Sequence, residues 1–311
     1  MLKLAEMSRR RALILGATAV GTVAASTVAG AAAHAVPAIG NRRHPGYAPE
    51  DWAKPFSHFM AEYTAPPQEA VTIAYHGGPT PTEQIPDFAA WTQDLAPTGY
   101  SAVETGYGNT ASGAVWVATR TEMPRVTAAM WDWWFGWHSS DSARYKLWHP
   151  DAHMFSELDT DTSARGMPDR ARYIGNISYV DEYIGSELQQ LAIAFHDPAD
   201  HGFVVPPDQT VIVARVGSSI VPIDFGWLAH QVRPIPGGSE MRSRFYLGLH
   251  GMRAPAVSLA ARAIERGPAA DPRDLVPDLD MARELLLHCG QEMNHLAQFL
   301  PEIHEQFHRT S

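Results

Sequence analysis

The stretch DMARELLLHCGQEMNHLAQFLPEIHEQF, residues 280–307, decides the fold that this sequence predicts. Apolar side chains recur in it at helical spacing, and Asp280 stands at its start as the candidate N-cap. The apolar positions are Leu286, Cys289, Met293, Leu296 and Leu300. A stripe of this kind needs an apolar surface to cover it, so we expect a long helix that packs against a sheet.

The sheet is predicted by short β-rich runs upstream of this helix, separated by Gly, Pro and Asn. They occupy residues 70–77, 99–108, 112–123, 173–185, 210–217, 227–235 and 243–251. The tripeptide Pro236-Gly237-Gly238 between the last two runs is typical of a hairpin turn. Strands first and one long helix last predict an α+β fold, in which a curved antiparallel sheet grips the C-terminal helix.

The segment WWFGWHSSDSARYKLWHPDAH, residues 133–153, concentrates tryptophan and histidine. Pro124 favours a helix start ahead of it, which places Trp134 and His138 one helical turn apart. We expect a loop and a short extended piece to carry Arg144, Tyr145, Trp148, His149 and His153. Aromatic faces and imidazoles together are typical of a pocket for a flat organic molecule, although tryptophans of this kind also occur as plain core.

Two further features bear on a metal site. His288 and Glu292 lie four residues apart on the predicted helix and His295 three further on, so one helical face carries all three. Such a pair can hold one metal ion or simply form a hydrogen-bonded pair. In the run 173–185, strand alternation places Asp181 and Glu182 on opposite faces, so one of them points inward. The single cysteine, Cys289, leaves His, Asp and Glu as the ligands for any metal.

Charge and the N-terminus bear on partners and location. The net charge of −10, without a dense basic run after the first dozen residues, argues against nucleic acid and anionic membrane surfaces as partners. Arg9 and Arg10 follow Ser8 and precede a long, weakly apolar tract that ends at Ala35. This layout resembles a twin-arginine export signal, so we expect cleavage after Ala35, an exported product and no stable membrane span after cleavage. An uncleaved membrane anchor is the alternative.

The expected domain plan has three parts. Residues 1–35 form the signal peptide, residues 36–120 a lead and a small β-rich part, and residues 121–311 the domain with the long helix.

Five ordered strings resemble one enzyme family. They are WWFGWH at 133–138, RYKLWHPDAH at 144–153, VDEYIG at 180–185, SRFYLG at 243–248 and HCGQEMNHLAQFLPE at 288–302. Together they resemble the 2,4-diacetylphloroglucinol hydrolase family, which includes phloretin hydrolase. The resemblance implies a Bet v 1-like helix-grip fold and a zinc hydrolase, which cleaves the carbon-carbon bond between an acyl group and a polyhydroxylated aromatic ring. It also implies a small aromatic acyl-phenol substrate and a homodimer.

The resemblance further implies a metal set of two His and two Glu. Carried over by motif, these are His153, Glu182, His288 and Glu292, with Asp181 or Glu187 as alternatives to Glu182. Tyr145 and Tyr246 match the substrate-contacting tyrosines, and His149 or His250 is the candidate proton shuttle. A metal in such a set acidifies bound water and polarises an acyl carbonyl, while protonation of the ring carbon lets the ring depart.

Two other functions fit parts of the pattern. A helix-grip fold can enclose an aromatic or polyketide ligand without catalysis, and such a carrier needs no His/Glu set. An iron oxygenase needs two His and one carboxylate with open positions. Zinc is the metal that the resemblance implies, and the residues by themselves also suit iron.

Overall fold

The computed structural model describes residues 46–162, 166–252, 257–265 and 276–308. The predicted signal peptide, residues 1–35, lies outside this range. Across the described residues, none of the helices combines the length and the apolar character needed to cross a membrane.

Eight antiparallel strands form one sheet. They are β1 (Gly106–Asn109), β2 (Val115–Pro124), β3 (His153–Leu158), β4 (Ile177–Ile184), β5 (Glu187–His196), β6 (Thr210–Ser218), β7 (Ile223–Ile235) and β8 (Gly238–Met252). Their order across the sheet is β1-β2-β8-β7-β6-β5-β4-β3, so the chain from β3 to β8 is a continuous meander and the β1-β2 hairpin extends it beyond β8. Pro236 and Gly237 connect β7 to β8, and Gly237 has a φ of 85°, which confirms the predicted hairpin turn.

Eight helices pack around this sheet in the described part of the chain. They are α1 (Glu69–His76), α2 (Trp91–Asp94), α3 (Ala128–His138), α4 (Ser142–Trp148), α5 (Asp169–Tyr173), α6 (Val257–Glu265), α7 (Leu279–Ala297) and α8 (Leu300–Phe307). Single 3-10 turns occur at Asp51–Ala53, Ser57–Phe59, Thr82–Gln84, Phe88–Ala90 and Pro198–His201. The fold is therefore the predicted α+β arrangement, in which a curved antiparallel sheet grips a C-terminal helix.

Strand alternation divides the core between the two faces of the sheet. On β8, Phe245 and Leu247 belong to the larger apolar cluster, which includes the buried stripe of α7 and the tryptophans of α3. Tyr246 belongs to a smaller cluster on the other face, with Trp91 and Trp116. We call these the helix face and the outer face.

The long helix forms as predicted, with two differences at its ends. Its apolar stripe is buried, but the N-cap is Asp278 rather than Asp280, because the Asp278 carboxylate accepts a hydrogen bond from the backbone N–H of Met281. The predicted single helix is also broken into α7 and α8. Pro301 lies in the first turn of α8, where proline is compatible with a helix start but not with continuation from α7.

The N-terminal part differs from its prediction at residues 70–77. This run forms α1 rather than a strand, because Val71 is buried against α7 and tertiary packing outweighs the β propensity of its branched side chains. A Cβ at Gly290 of α7 would lie 2.7 Å from a methyl carbon of Val71, so glycine permits this close approach. The domain boundary placed at residue 120 falls inside β2, which pairs with β8 along its whole length.

The aromatic segment also has more helix than predicted. Pro124 ends β2 and does not open a helix, and α3 begins after the N-cap Thr127. Residues 142–148 form α4 instead of a loop, because the Asp141 carboxylate accepts a hydrogen bond from Ala143 N–H and caps it. His138 lies one turn after Trp134 as expected, and its Nδ1 is 2.7 Å from the Trp134 carbonyl oxygen.

Two buried arginines of β8 hold the upstream chain on the outer face. Arg244 donates to the Asp94 carboxylate at 2.7 Å and to Glu104 at 2.8 Å, and Arg242 donates to the other oxygen of Glu104 at 2.7 Å. Burial raises the pKa of Glu104, but the hydrogen bond from Arg242 and the charge of Arg244 outweigh burial and lower it to about 2. Breaking such a pair leaves a buried charge without compensation.

We predict that Glu104→Gln lowers the free energy of unfolding by about 2 kcal/mol, measured by urea denaturation at pH 7. Glu302→Gln is the matched control, because the Glu302–Arg125 pair is exposed and worth about 0.5 kcal/mol. The folded pKa of Glu104 lies below its ordinary value of 4.5. The difference in the free energy of unfolding between wild type and Glu104→Gln should therefore be largest above pH 4.5 and become smaller as the pH falls towards 2. Equal effects of the two substitutions would contradict this account.

Candidate metal centre

Four side chains from three elements converge between α7 and the end of the sheet. The His153 Nε2 atom lies 3.2 Å from a Glu182 carboxylate oxygen and 3.4 Å from a Glu292 oxygen. His288 Nε2 lies 3.5 Å from the same Glu182 oxygen, 3.8 Å from the Glu292 oxygen and 3.4 Å from His153 Nε2. All four side chains are buried. The residues that the sequence proposed as metal ligands thus meet at one point.

Backbone carbonyls orient both imidazoles. His153 Nδ1 lies 2.9 Å from the Tyr145 carbonyl oxygen, and His288 Nδ1 lies 3.1 Å from that of Tyr183. Because a carbonyl oxygen only accepts, each Nδ1 carries the hydrogen, and each Nε2 of a neutral ring directs a lone pair at the cluster. A backbone carbonyl that accepts from the other ring nitrogen is the usual arrangement for histidine ligands of metals.

Strand register brings His153 and Glu182 together despite their separation in sequence. His153 on β3 is the cross-strand partner of Glu182 on β4, and the register shifts between His153 and Phe155, so that Phe155 faces Asp181. Met154 is the extra residue of this bulge. Bulges of this kind redirect side chains next to functional sites.

The charges of the cluster favour a cation. Burial raises the pKa of Glu292, whereas in Glu182 the hydrogen bonds from His153 and His288 outweigh burial and lower the pKa well below its usual range. Burial lowers the pKa of His153, but its hydrogen bonds to the two carboxylates outweigh burial and raise it to about 9. The cluster therefore holds positive charge strongly, which is the electrostatic requirement of a divalent cation site.

The donor set fits a small transition-metal ion. Four tetrahedral ligand atoms at ~2.0–2.2 Å from an ion lie ~3.3–3.6 Å from one another. The donor atoms of His153, Glu182 and His288 lie 3.2–3.5 Å from one another and form a group that could hold a metal ion. A Glu292 oxygen lies 3.4 and 3.8 Å from the two imidazole nitrogens of this group. Two imidazole nitrogens and two carboxylate oxygens are ligands that zinc and iron both accept.

The structure brings two of the three predicted catalytic residues to this cluster. The Tyr145 hydroxyl donates to a Glu182 oxygen at 2.5 Å, and its ring stacks on His153 at a centroid distance of 3.7 Å. Burial, followed by the charge of Glu182, raises the pKa of Tyr145 well above its usual range. His149 stacks on His288 at 4.6 Å, and burial lowers its pKa well below its usual range.

The remaining candidates lie elsewhere. Tyr246 was expected beside the substrate, but strand alternation places it on the outer face, where it packs against Phe88. His250 and Glu187 are exposed. Asp181 is buried on the opposite face of β4 from Glu182, and Gln190 donates to it at 3.5 Å. Among the alternatives, Glu182 is thus the carboxylate that meets His153.

The tryptophans divide between the cluster and the core. Trp148 lies edge to face with His153 at 5.7 Å, and its indole N–H is buried with no acceptor among the described residues. Trp133 and Trp137 stack on each other, and Trp137 packs on Phe307 of α8. One indole therefore lines the cluster, and this pair belongs to the core.

Three further buried histidines lie near this region, and the sequence assigned none of them a role. His138 stacks between Trp134 and Tyr145, His230 pairs with the Ser243 hydroxyl at 2.8 Å, and His295 accepts a hydrogen bond from a backbone N–H. Burial lowers the pKa of His138 and of His230 to about 3. Only His295 had a usable signal, its helical spacing from His288 and Glu292.

The fold and the cluster define the class: an α+β helix-grip protein with a buried two-histidine, two-glutamate centre. The chain belongs to the family described as the DAPG hydrolase PhiG domain, whose model matches residues 85–305.

Two curated relatives extend this match. A 2,4-diacetylphloroglucinol hydrolase from Pseudomonas sp is 26% identical over 267 residues, which is 82% of this chain and 88% of the relative. The phloretin hydrolase of Eubacterium ramulus is 28% identical over 262 residues, which is 81% of this chain and 89% of the relative. Among solved structures, human STARD10 aligns with a TM-score of 0.39 at 10% identity, over 73% of this chain and 86% of that one.

The cluster predicts tight binding of one divalent cation per chain. After chelator treatment, added Zn²⁺ should raise the melting temperature, and Glu182→Gln should weaken binding by about 100-fold or more, because the carboxylate supplies both a ligand atom and charge. Glu187→Gln and Asp181→Asn are the matched controls and should stay within about threefold of wild type, since neither carboxylate reaches the cluster. Titration calorimetry measures each affinity. A larger loss in either control than in Glu182→Gln would contradict the assignment.

Proposed function

We propose that this protein is a zinc-dependent hydrolase, which cleaves the carbon-carbon bond between an acyl group and a polyhydroxylated aromatic ring. The products are a carboxylic acid and the deacylated phenol. The observation that carries the proposal is the convergence of His153, Glu182, His288 and Glu292 at one point. Membership of the family and the names of both relatives support the reaction class.

His153, His288, Glu182 and Glu292 would hold the zinc ion. When bound there, zinc supplies a lowered pKa of coordinated water and polarisation of an acyl carbonyl. The carbonyl groups of Tyr145 and Tyr183 keep the two imidazoles in the tautomer that ligation needs.

Tyr145 is the proton donor of the proposal. Its raised pKa keeps the hydroxyl protonated at neutral pH, and its hydrogen bond to Glu182 fixes the position of the phenol group. In the overall reaction, water adds a hydroxyl group to the acyl carbon and a proton to the ring carbon from which the acyl group departs. The reaction therefore needs no oxidant. Phenol groups ortho and para to the acyl group allow the ring carbon to accept that proton before the bond breaks.

The test is the reaction itself. Purified, metal-analysed protein is incubated with 2,4-diacetylphloroglucinol or phloretin, and released acid and oxygen uptake are measured. We expect acid release without oxygen uptake, and a fall in kcat/KM of about 100- to 1,000-fold or more in His288→Asn and Glu292→Gln.

Matched controls separate loss of the site from loss of the fold. His304→Asn and Glu302→Gln change the same residue types on α8, away from the cluster, and should retain wild-type activity. Acid release that survives loss of both His288 and Glu292 would defeat the mechanism. Oxygen-dependent turnover would favour the oxygenase alternative, and binding without any product would favour a carrier.

We also propose that the chain is exported after cleavage behind Ala35. Expression in a bacterium with a twin-arginine system should yield secreted protein whose N-terminal residue is Val36, measured by Edman sequencing or intact mass. Replacing Arg9 and Arg10 by Lys should abolish export. Protein that stays inside the cell with an intact N-terminus would contradict this proposal.

A further inference from the structure

A short segment upstream of the sheet, residues 63–68, links the turn between α4 and β3 to α7. We call this segment the strap. On one side, Thr64 N–H donates to the Asp151 carboxylate at 2.8 Å. On the other, Asn294 of α7 donates to the Pro66 carbonyl at 2.8 Å, and Gln68 donates to Asn294 at 3.1 Å. The strap lies ahead of residues 85–305, which the family model matches.

The strap fixes the tautomer of His295. Ala65 N–H donates to His295 Nδ1 at 3.0 Å, so that nitrogen carries no hydrogen and the neutral ring carries it on Nε2. His295 is 4% exposed, and its Nε2 is buried with no partner among the described residues. A buried N–H donor without an acceptor is costly, and a bound ligand oxygen would satisfy it.

The strap fixes His149 in the same way. Asp151 N–H donates to the Thr64 hydroxyl oxygen at 3.3 Å, and His149 Nδ1 lies 2.8 Å from that oxygen. Since the backbone N–H only donates, His149 Nδ1 is the one acceptor among the described residues for the Thr64 hydroxyl hydrogen. When the Thr64 hydroxyl donates to Nδ1, the hydrogen of the His149 ring lies on Nε2.

The four histidines thus form two pairs of opposite polarity. His153 and His288 carry their hydrogens on Nδ1 and present lone pairs, whereas His149 and His295 carry theirs on Nε2 and present donors. His149 stacks on His288, and His295 lies three residues, or ~4.5 Å of helix, beyond Glu292.

We propose that Thr64 and Ala65 are positioning residues, which hold His149 and His295 as Nε2–H donors to the oxygens of the acyl-phenol substrate. This inference rests on the proposed hydrolase function. The substrate carries several oxygens around one ring, namely the acyl carbonyl and the phenol groups. These hydrogen-bond acceptors can therefore lie both beside the metal ligands and one helical turn of α7 beyond Glu292. Donors fixed before the substrate arrives stabilise the negative charge that develops on those oxygens.

His295 permits a matched pair of substitutions. His295→Asn keeps an acceptor near the Nδ1 position for Ala65 and loses the Nε2–H donor, whereas His295→Gln keeps a donor near Nε2 and loses the acceptor. With metal-loaded full-length protein and 2,4-diacetylphloroglucinol, we expect kcat to fall about 100-fold in His295→Asn and at most about tenfold in His295→Gln. Exchange of the Ala65 amide should accelerate only in His295→Gln.

A spectroscopic readout tests the tautomers without substrate. Correlations between ring nitrogens and ring protons in ¹⁵N-edited spectra distinguish Nδ1–H from Nε2–H histidines. In wild type, His149 and His295 should show Nε2–H, and His153 and His288 Nδ1–H. Thr64→Val should abolish the single-tautomer pattern of His149, and Thr64→Ser, which keeps the hydroxyl, should preserve it.

These outcomes separate the two proposals. Wild-type protein that hydrolyses no acyl-phenol defeats the proposed function, and the spectra then still decide whether the strap sets the tautomers. In an active enzyme, an Nδ1–H tautomer at His149 or His295 overturns the inference. So does His295→Asn with kcat within threefold of wild type, or His295→Gln with a kcat as low as that of His295→Asn.

Discussion

The structure depends on the burial of two carboxylates around one histidine. Glu182 lies on β4 and Glu292 on α7, and each comes within 3.4 Å or less of His153 Nε2. Placing two such charges in a low-dielectric interior is unfavourable unless positive charge and hydrogen bonds compensate. The two imidazoles and the Tyr145 hydroxyl provide part of that compensation, and the proposed cation would supply the rest. These contacts link β3 and β4 to α7.

Hydrogen-bond polarity organises the surroundings of this cluster. Backbone carbonyls direct the lone pairs of His153 and His288 inward, and a backbone N–H and a hydroxyl of the strap act in the opposite sense on His295 and His149. Groups that surround the site thus determine which imidazole nitrogens donate and which accept hydrogen bonds. The proposed binding of a cation and an oxygen-rich aromatic molecule would need both kinds of group close together.

The chain ahead of the sheet takes part in both the fold and the site. On the outer face, Asp94 and Glu104 are held by two buried arginines of β8. On the helix face, α1 packs Val71 against Gly290 of α7, and the strap reaches two histidines. The upstream residues thus contact both faces of the fold and two histidines near the cluster.

Local patterns in the sequence were sufficient to predict the α+β class, the long amphipathic helix and the shared helical face of His288 and Glu292, because helical periodicity is a short-range property. The motif resemblance added His153, Glu182 and Tyr145, yet it also suggested Tyr246, which the structure places on the outer face. Whether a strand residue faces the helix or the outside depends on register, and a shift of one residue reverses it. The Met154 bulge, the helical form of residues 69–76 and the strap contacts of His149 and His295 all arise between segments far apart in sequence. Only the tertiary structure could decide them, because packing and hydrogen bonding across the fold outweigh local propensity at each of these positions.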